Sequence, residues 1–278
     1  MSSFQRSQLK HDAAPWIRWL ARFGYAAKGV VYCFLGILAV QAALNTGGET
    51  TGSSGALDAI ASQPFGQALL LLIGIGLIGY VLWRLVQAFA DPEHDSNDWS
   101  DIVRRLSYFF SGIAYGSLAL TALRLALGSS SDSGQSNSQE TFAATLLQQP
   151  MGRWFVGAAG ALVIGIAFYY FYRAFKAKFR KRLRLYDLSQ SARQNLIRLC
   201  QFGITARGVV FAIVGGYLIK AAKSANADQA RSTEGALEAI EQSSTMGQWL
   251  LLLVAVGLVA YGIYMLVQAR YRKIGVLS

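Results

Sequence analysis

Polar and apolar residues alternate along this chain in blocks, and the apolar blocks share one length. A membrane-crossing helix needs about 20 mostly apolar residues. The first such run covers about 25–44, without charge from Gly29 to Gly48. The second covers about 66–89 and is uncharged until Arg84. Arg105 and Arg124 bracket the third, and Arg153 and Arg173 the fourth. The fifth is strictly uncharged only from Gly208 to Ile219, and reaches full length if Arg207 and Lys220 extend to the two interfaces, as long basic side chains do. The sixth covers about 247–269. The pattern predicts six transmembrane helices.

The runs come in pairs, and the pairs repeat, which for a chain of this kind decides the architecture. Gly24-Tyr25-Ala26-Ala27-Lys28-Gly29-Val30-Val31-Tyr32 returns as Gly203-Ile204-Thr205-Ala206-Arg207-Gly208-Val209-Val210-Phe211, with Ser111-Gly112-Ile113-Ala114-Tyr115 as a fainter middle copy of its second half. Gly55-Ala56-Leu57-Asp58-Ala59-Ile60 returns as Gly235-Ala236-Leu237-Glu238-Ala239-Ile240, and Thr141 to Leu146 is the degenerate middle version. Then follow Pro64-Phe65-Gly66, Pro150-Met151-Gly152 and Thr245-Met246-Gly247. Each unit ends on a related helix: Gly79 to Ala88, Gly165 to Ala174 and Ala260 to Ala269. The expected fold is therefore all-α: three parallel two-helix repeats forming a pseudo-threefold six-helix membrane bundle. Its units are an N-terminal segment 1–18, repeat 1 over 19–90, an acidic linker 91–103, repeat 2 over 104–175, a basic linker 176–198, repeat 3 over 199–269 and a basic tail 270–278.

Composition agrees: 53% of residues are hydrophobic, 15% are charged, and the mean hydropathy is +0.33. The net charge of +11 comes from basic residues flanking the apolar runs. That distribution fits membrane orientation and speaks against nucleic acid as a partner. Of the 26 Lys and Arg, 21 fall on the side carrying both termini. By the positive-inside rule the termini are cytoplasmic, in a bacterial cell membrane. No convincing signal peptide is present, because the polar N-terminal region is long and its apolar run has a retained counterpart at 208–222. The linker from Lys176 to Arg198 interleaves cations with Phe179, Leu183, Leu185 and Tyr186. It suits a helix on an anionic inner leaflet, so anionic lipid is the expected partner, with a second membrane protein or a further copy of the chain also possible.

Candidate chemistry is sparse. Lys28 and Arg207 hold equivalent positions, and Arg84 lies near the inner end of the second run, with Tyr170 and Met265 as its repeat equivalents. Charges at membrane depth are the default functional candidates. Here they read either as anchors reaching to the interface or as contacts for a lipid headgroup, substrate or ion at an inner mouth. Asp58 and Glu238 read either as first-turn acids of short interfacial helices capped by Gly55 and Gly235, or as acids guarding an outer mouth. Asp91 to Ile102 has calcium-loop spacing, but Ser96 and Ile102 stand where Gly and Glu are needed, so no metal is expected. His11 and His94 are the only histidines and lie outside the apolar runs, which excludes an embedded bis-His haem; no cofactor is expected. Cys33 and Cys200 lie in different repeats and make no CxxC pair. No paired carboxylates, Ser/His/Asp set, phosphate loop or HExxH is present, which disfavours an enzyme. Gly112 and Gly116 form a GxxxG pair, and with Gly74, Gly76, Gly203 and Gly208 they predict close helix packing. The six tryptophans and the aromatic cluster Phe168 to Tyr172 suggest interfacial belts.

The repeat blocks resemble a bacterial membrane family known as a domain of unknown function, DUF1206, which usually occurs in three copies of two helices. The matching residues are Arg22 to Tyr32, Gly55-Ala56-Leu57, Pro64-Phe65-Gly66 and Gly76 to Arg84. The likeness runs from about 19 to 269 and is weakest in the middle copy. It implies the topology and brings no activity or site residue. The expected function is a structural or interaction module for lipids or membrane partners. The alternatives are an anion-favouring conduit for a small solute or ion along the pseudo-threefold axis and, third, an enzyme acting on membrane lipid.

Overall fold

The computed structural model describes residues 15–48, 50–89, 99–128, 145–146, 151–177, 179–180, 183, 189–224, 230–242 and 246–272. Among these, the long helices are α1 (Pro15–Ala43), α3 (Gly66–Phe89), α4 (Trp99–Ala126), α5 (Gly152–Phe175), α6 (Gln190–Ser224) and α8 (Gly247–Tyr271). All six are long and apolar enough to cross a membrane. Two short helices, α2 (Ser53–Ala61) and α7 (Thr233–Gln242), precede the second span of repeats 1 and 3. The segment 1–14, the acidic linker over 90–98, the block Thr141–Ala144, most of the basic linker between 178 and 188, and the tail 273–278 lie outside the described residues.

Local chemistry explains the element ends. Pro15 opens α1, where its fixed φ suits a first helical position. Asn45, at φ 52°, closes it: its N–H donates to Ala42 O, and the Thr46 N–H donates to Gln41 O at 2.9 Å. That crossed pair is a Schellman ending, which favours Asn or Gly at the left-handed position. The short helices begin earlier than the expected Gly55 and Gly235 caps. Gly52 caps α2, leaving Asp58 well past the first turn. Ser232 precedes α7, its Oγ accepting from the Gly235 N–H at 3.5 Å. Both helices are set by the apolar side they bury: Ala56, Leu57 and Ile60 in α2, Ala236, Leu237 and Ile240 in α7. They press into the distal end of the bundle, opposite the chain termini.

The six spans pack as a curled arc in the order α4, α3, α1, α8, α6, α5. α1 and α8 form its middle. Within repeat 1, α1 packs on α3; within repeat 3, α6 packs on α8; the two spans of repeat 2, α4 and α5, scarcely touch. Consequently only 17% of the most apolar stretch of α5 is buried, against 61% for α8.

Matched small residues explain why repeats 1 and 3 close. A Cβ added to Gly24 would stand 2.6 Å from Tyr80 Cβ, and one added to Gly203 would run into the Tyr261 backbone. A Cβ on Gly76 would stand 2.6 Å from Ala27 Cβ, and one on Gly257 would meet Ala206 Cβ. The equivalent positions of repeat 2 carry Ser107, Phe110 and Leu162 in place of Gly, Ala and Gly, which are too large for that approach, and Ile166 in place of the tyrosine. The expected GxxxG contact is loose by comparison: a Cβ on Gly112 would find its nearest neighbour at 3.7 Å, and on Gly116 at 4.0 Å.

At the end carrying the termini, part of the basic linker turns inward. Phe179 and Leu183 are buried, Phe179 edge-on against Tyr264 with centroids 5.5 Å apart, and Leu183 bridges to Arg272 through the backbone. Phe179 and Leu183 thus cover the bundle at this end.

Candidate functional site

Lys28 and Arg207 do not extend to the interface. Lys28 is 4% exposed and Arg207 8%. Lys28 lies near the middle of α1, while Tyr80, Tyr170 and Tyr261 fall nearer the terminal ends of α3, α5 and α8, so the site sits slightly towards the end carrying the termini. All six spans converge there through side chains: Lys28 and Tyr32 from α1, Tyr80 and Arg84 from α3, Tyr115 from α4, Tyr170 from α5, Arg207 and Phe211 from α6, and Tyr261 from α8.

Aromatic rings hold the cations. Lys28 Nζ lies 4.1 Å from the centroid of Tyr115 and 4.8 Å from that of Tyr80, and it donates to Tyr80 Oη at 3.2 Å. The Arg207 guanidinium faces four rings, with Cζ 4.6 Å from Tyr32, 4.7 Å from Tyr261, 4.8 Å from Phe211 and 5.7 Å from Tyr170. Its Nη2 donates to Tyr115 Oη at 3.4 Å. Tyr115 therefore stands between the two cations. The rings brace one another edge to face, with Tyr80–Tyr115 and Tyr32–Tyr261 both 4.9 Å between centroids.

Further cations border this centre. Arg84 donates through Nε to Tyr80 Oη at 2.9 Å and through Nη1 to Gln87 Oε1 at 3.0 Å. Arg173 donates to Tyr264 Oη. Arg272 donates to Tyr25 Oη at 2.5 Å and to Gln268 Oε1 at 2.7 Å. Gln87 and Gln268 are repeat equivalents, so repeats 1 and 3 use the same amide to hold an arginine.

The described carboxylates of α2 and α7, Asp58, Glu234, Glu238 and Glu241, sit at the opposite end of the bundle. Among the described residues no carboxylate pairs with Lys28 or Arg207, and Arg207 Nε and Nη1 are buried without a hydrogen-bond partner. A cation–π contact contributes ~1–2 kcal/mol when desolvated, whereas burying an ion costs several kcal/mol. Each unmatched donor costs a further ~1–3 kcal/mol. Ring faces stabilise the charge, yet they accept no in-plane hydrogen bond from Nε and Nη1. Arg207 therefore keeps two buried donors without an acceptor among the described residues.

The sequence-level candidates thus separate. Lys28, Arg84 and Arg207 come together through Tyr80 and Tyr115. Glu238 lines an open distal depression with Glu234, Glu241, Asn45 and Thr50, while Asp58 is exposed elsewhere, so the two acids share no mouth. Sequence reasoning left out the tyrosines, Arg173 and Arg272. The available signal was the aromatic that recurs four residues after Lys28, Ser111 and Arg207, as Tyr32, Tyr115 and Phe211. The aromatic belt also divides: Trp19, Trp154 and Trp249 are exposed, but Trp83 is buried and Tyr170 turns to the cations while Phe168 and Tyr169 face outward.

Known proteins place the chain in a group. A chain from Bacillus subtilis (strain 168), described as "Uncharacterized protein YxxB", is 37% identical over 269 residues, covering 96% of this chain and 95% of the relative. No solved structure matches. The family model described as Domain of Unknown Function (DUF1206) matches three times, at residues 23–91, 106–177 and 202–272. With three such matches spanning the three helix pairs, the chain belongs to the DUF1206 family.

Proposed function

We propose that this protein is a polytopic bacterial membrane module that binds an anionic group, a phosphate or carboxylate, at the tyrosine-lined cations. The reading rests on one observation: Arg207 is buried with Nε and Nη1 unmatched and without a carboxylate partner. It gives physical content to a lipid or partner module made of units 19–90, 104–175 and 199–269. The 21 basic residues on the terminal side favour cytoplasmic termini in the bacterial cell membrane, and on that reading the site stands nearer the cytoplasmic face and its anionic headgroups. A partner membrane protein or a second copy carrying a carboxylate would use the same chemistry.

A conduit along the bundle axis has less support. Leu57, Ile60 and Leu237 fill the distal end, and Phe179 and Leu183 cover the other.

Thermal unfolding in neutral, lipid-free detergent tests the binding. A ligand at 100 times its Kd stabilises by about 2.7 kcal/mol. Phosphatidylglycerol or inorganic phosphate should raise the melting temperature of the wild type, and Arg207→Gln should abolish the rise. An equal response to phosphatidylcholine, or an undiminished response in Arg207→Gln, would overturn the reading.

A further inference from the structure

Repeat 2 is the one unit whose two spans do not close on each other, and its open side faces the cations. The residues at the positions that form the tight seams of repeats 1 and 3 are uncovered here. Phe110 is 60% exposed and Leu162 64%, whereas their equivalents in the closed repeats, Ala27 and Ala206 for Phe110 and Gly76 and Gly257 for Leu162, are packed inside. Gly165 makes the same point by its surroundings. A Cβ on its equivalent Gly79 would lie 2.9 Å from Leu20 O, and the third equivalent, Ala260, is buried, whereas a Cβ on Gly165 would meet nothing within 4 Å. Among the described residues α4 and α5 therefore stand apart, leaving an uncovered apolar cleft between them.

The cleft leads towards the cations, which Tyr115 and Tyr170 screen. Tyr115 of α4 and Tyr170 of α5 flank it and are half-buried, while Tyr80 and Tyr261, on the closed sides of the same centre, are fully buried. Both flanking tyrosines contact Arg207. Among the described residues the distal end is filled and Phe179 and Leu183 cover the opposite end, while the α4–α5 side is left open.

We infer that the α4–α5 cleft is a lateral port for one anionic phospholipid, which lays its acyl chains against Phe110, Ile113 and Leu162 and brings its phosphate to Arg207 and Lys28. This rests on the anion-binding reading above and adds the ligand's class and route. An apolar groove opening to the bilayer and leading towards unmatched cations complements a molecule that is apolar at one end and anionic at the other. A free anion has no use for the groove, and an apolar partner helix would leave Arg207 unmatched.

The probe is phosphatidylglycerol carrying a diazirine in one acyl chain, added to full-length protein in neutral detergent, irradiated and mapped by peptide mass spectrometry. A parallel arm measures lipid retained per protein by native mass spectrometry in wild type, Gly165→Trp and Arg207→Gln. Cross-links should concentrate on α4 and α5 around Phe110, Ile113 and Leu162. Gly165→Trp should cut retention about tenfold with an unchanged melting temperature, since its side chain enters open space. Cross-links scattered over α1, α3 or α8 with retention still dependent on Arg207 would overturn the port while leaving the anion site standing. The same holds if Gly165→Trp keeps full retention, if inorganic phosphate is retained in place of lipid, or if α4 and α5 cross-link instead to a second copy of the chain. Retention indifferent to Arg207 would overturn the anion site itself. Should Gly165→Trp fold poorly, the cross-link map on wild type decides alone.

Discussion

Lys28 and Arg207 occupy equivalent positions in repeats 1 and 3, and each is paired with aromatic rings instead of carboxylates. Such a pairing keeps a cation inside a membrane bundle without neutralising it. Removing one charge should therefore have opposite effects with and without the anion. In lipid-free detergent, Lys28→Met deletes an uncompensated buried ion, and we expect stability to rise by ~1–3 kcal/mol. With phosphatidylglycerol present, the variant loses part of the ligand's attraction and the gain should shrink or reverse. Melting temperatures of both proteins in both conditions check this; destabilisation in stripped detergent would count against it. None of this was readable from spacing alone. Lys28 and Arg84 were visible as charges near helix ends, where extending to the interface costs little. Their inward turn depends on Tyr80 and Tyr115, which come from other helices and have no local signature.

Helix packing follows small residues that touch across a repeat, and here the sequence was more informative. The paired copies of Gly24 and Gly203, or Gly76 and Gly257, mark the faces on which α1 meets α3 and α6 meets α8. Gly112 and Gly116 form a GxxxG pair but oppose nothing tight, because motif spacing names a face without naming its partner. Substitution should separate the two kinds of glycine. Gly24→Ala forces its Cβ onto the Tyr80 backbone and should cost about 1–3 kcal/mol, the usual penalty of overpacking. Gly112→Ala has room and should change stability by roughly less than 0.5 kcal/mol. Thermal unfolding of the detergent-solubilised variants measures both. The degeneracy of repeat 2 was legible as weak similarity. Its consequence, an open seam, required knowing that Phe110 and Leu162 stand where Ala and Gly stand in the closed repeats.

The whole molecule is then an arc of six spans held at its middle by α1 and α8 and loosest at its two ends, α4 and α5. Six spans and a threefold repeat were plain from the apolar runs, since membrane helices satisfy their own backbone and need only length and hydrophobicity. The basic linker was less legible. Its amphipathic character suggested a leaflet surface, but Phe179 and Leu183 found a nearer apolar partner in the bundle. Charge asymmetry predicts that the α2–α3 turn faces outward and the start of α6 inward. In a Cys33→Ala, Cys200→Ala background, a membrane-impermeant maleimide should label Ser62→Cys on intact cells and Ser191→Cys only after permeabilisation. The reverse pattern would invert the topology and put the cation site nearer the outer face.

The most direct measurement is an experimental density map of the full chain in nanodiscs containing phosphatidylglycerol. A phosphate-sized feature within hydrogen-bond reach of Arg207 Nε and Nη1, with acyl density leading out between α4 and α5, is the expected result. A closed α4–α5 seam would contradict the port, and Arg207 paired with a carboxylate of the chain itself would contradict the anion site and the port together.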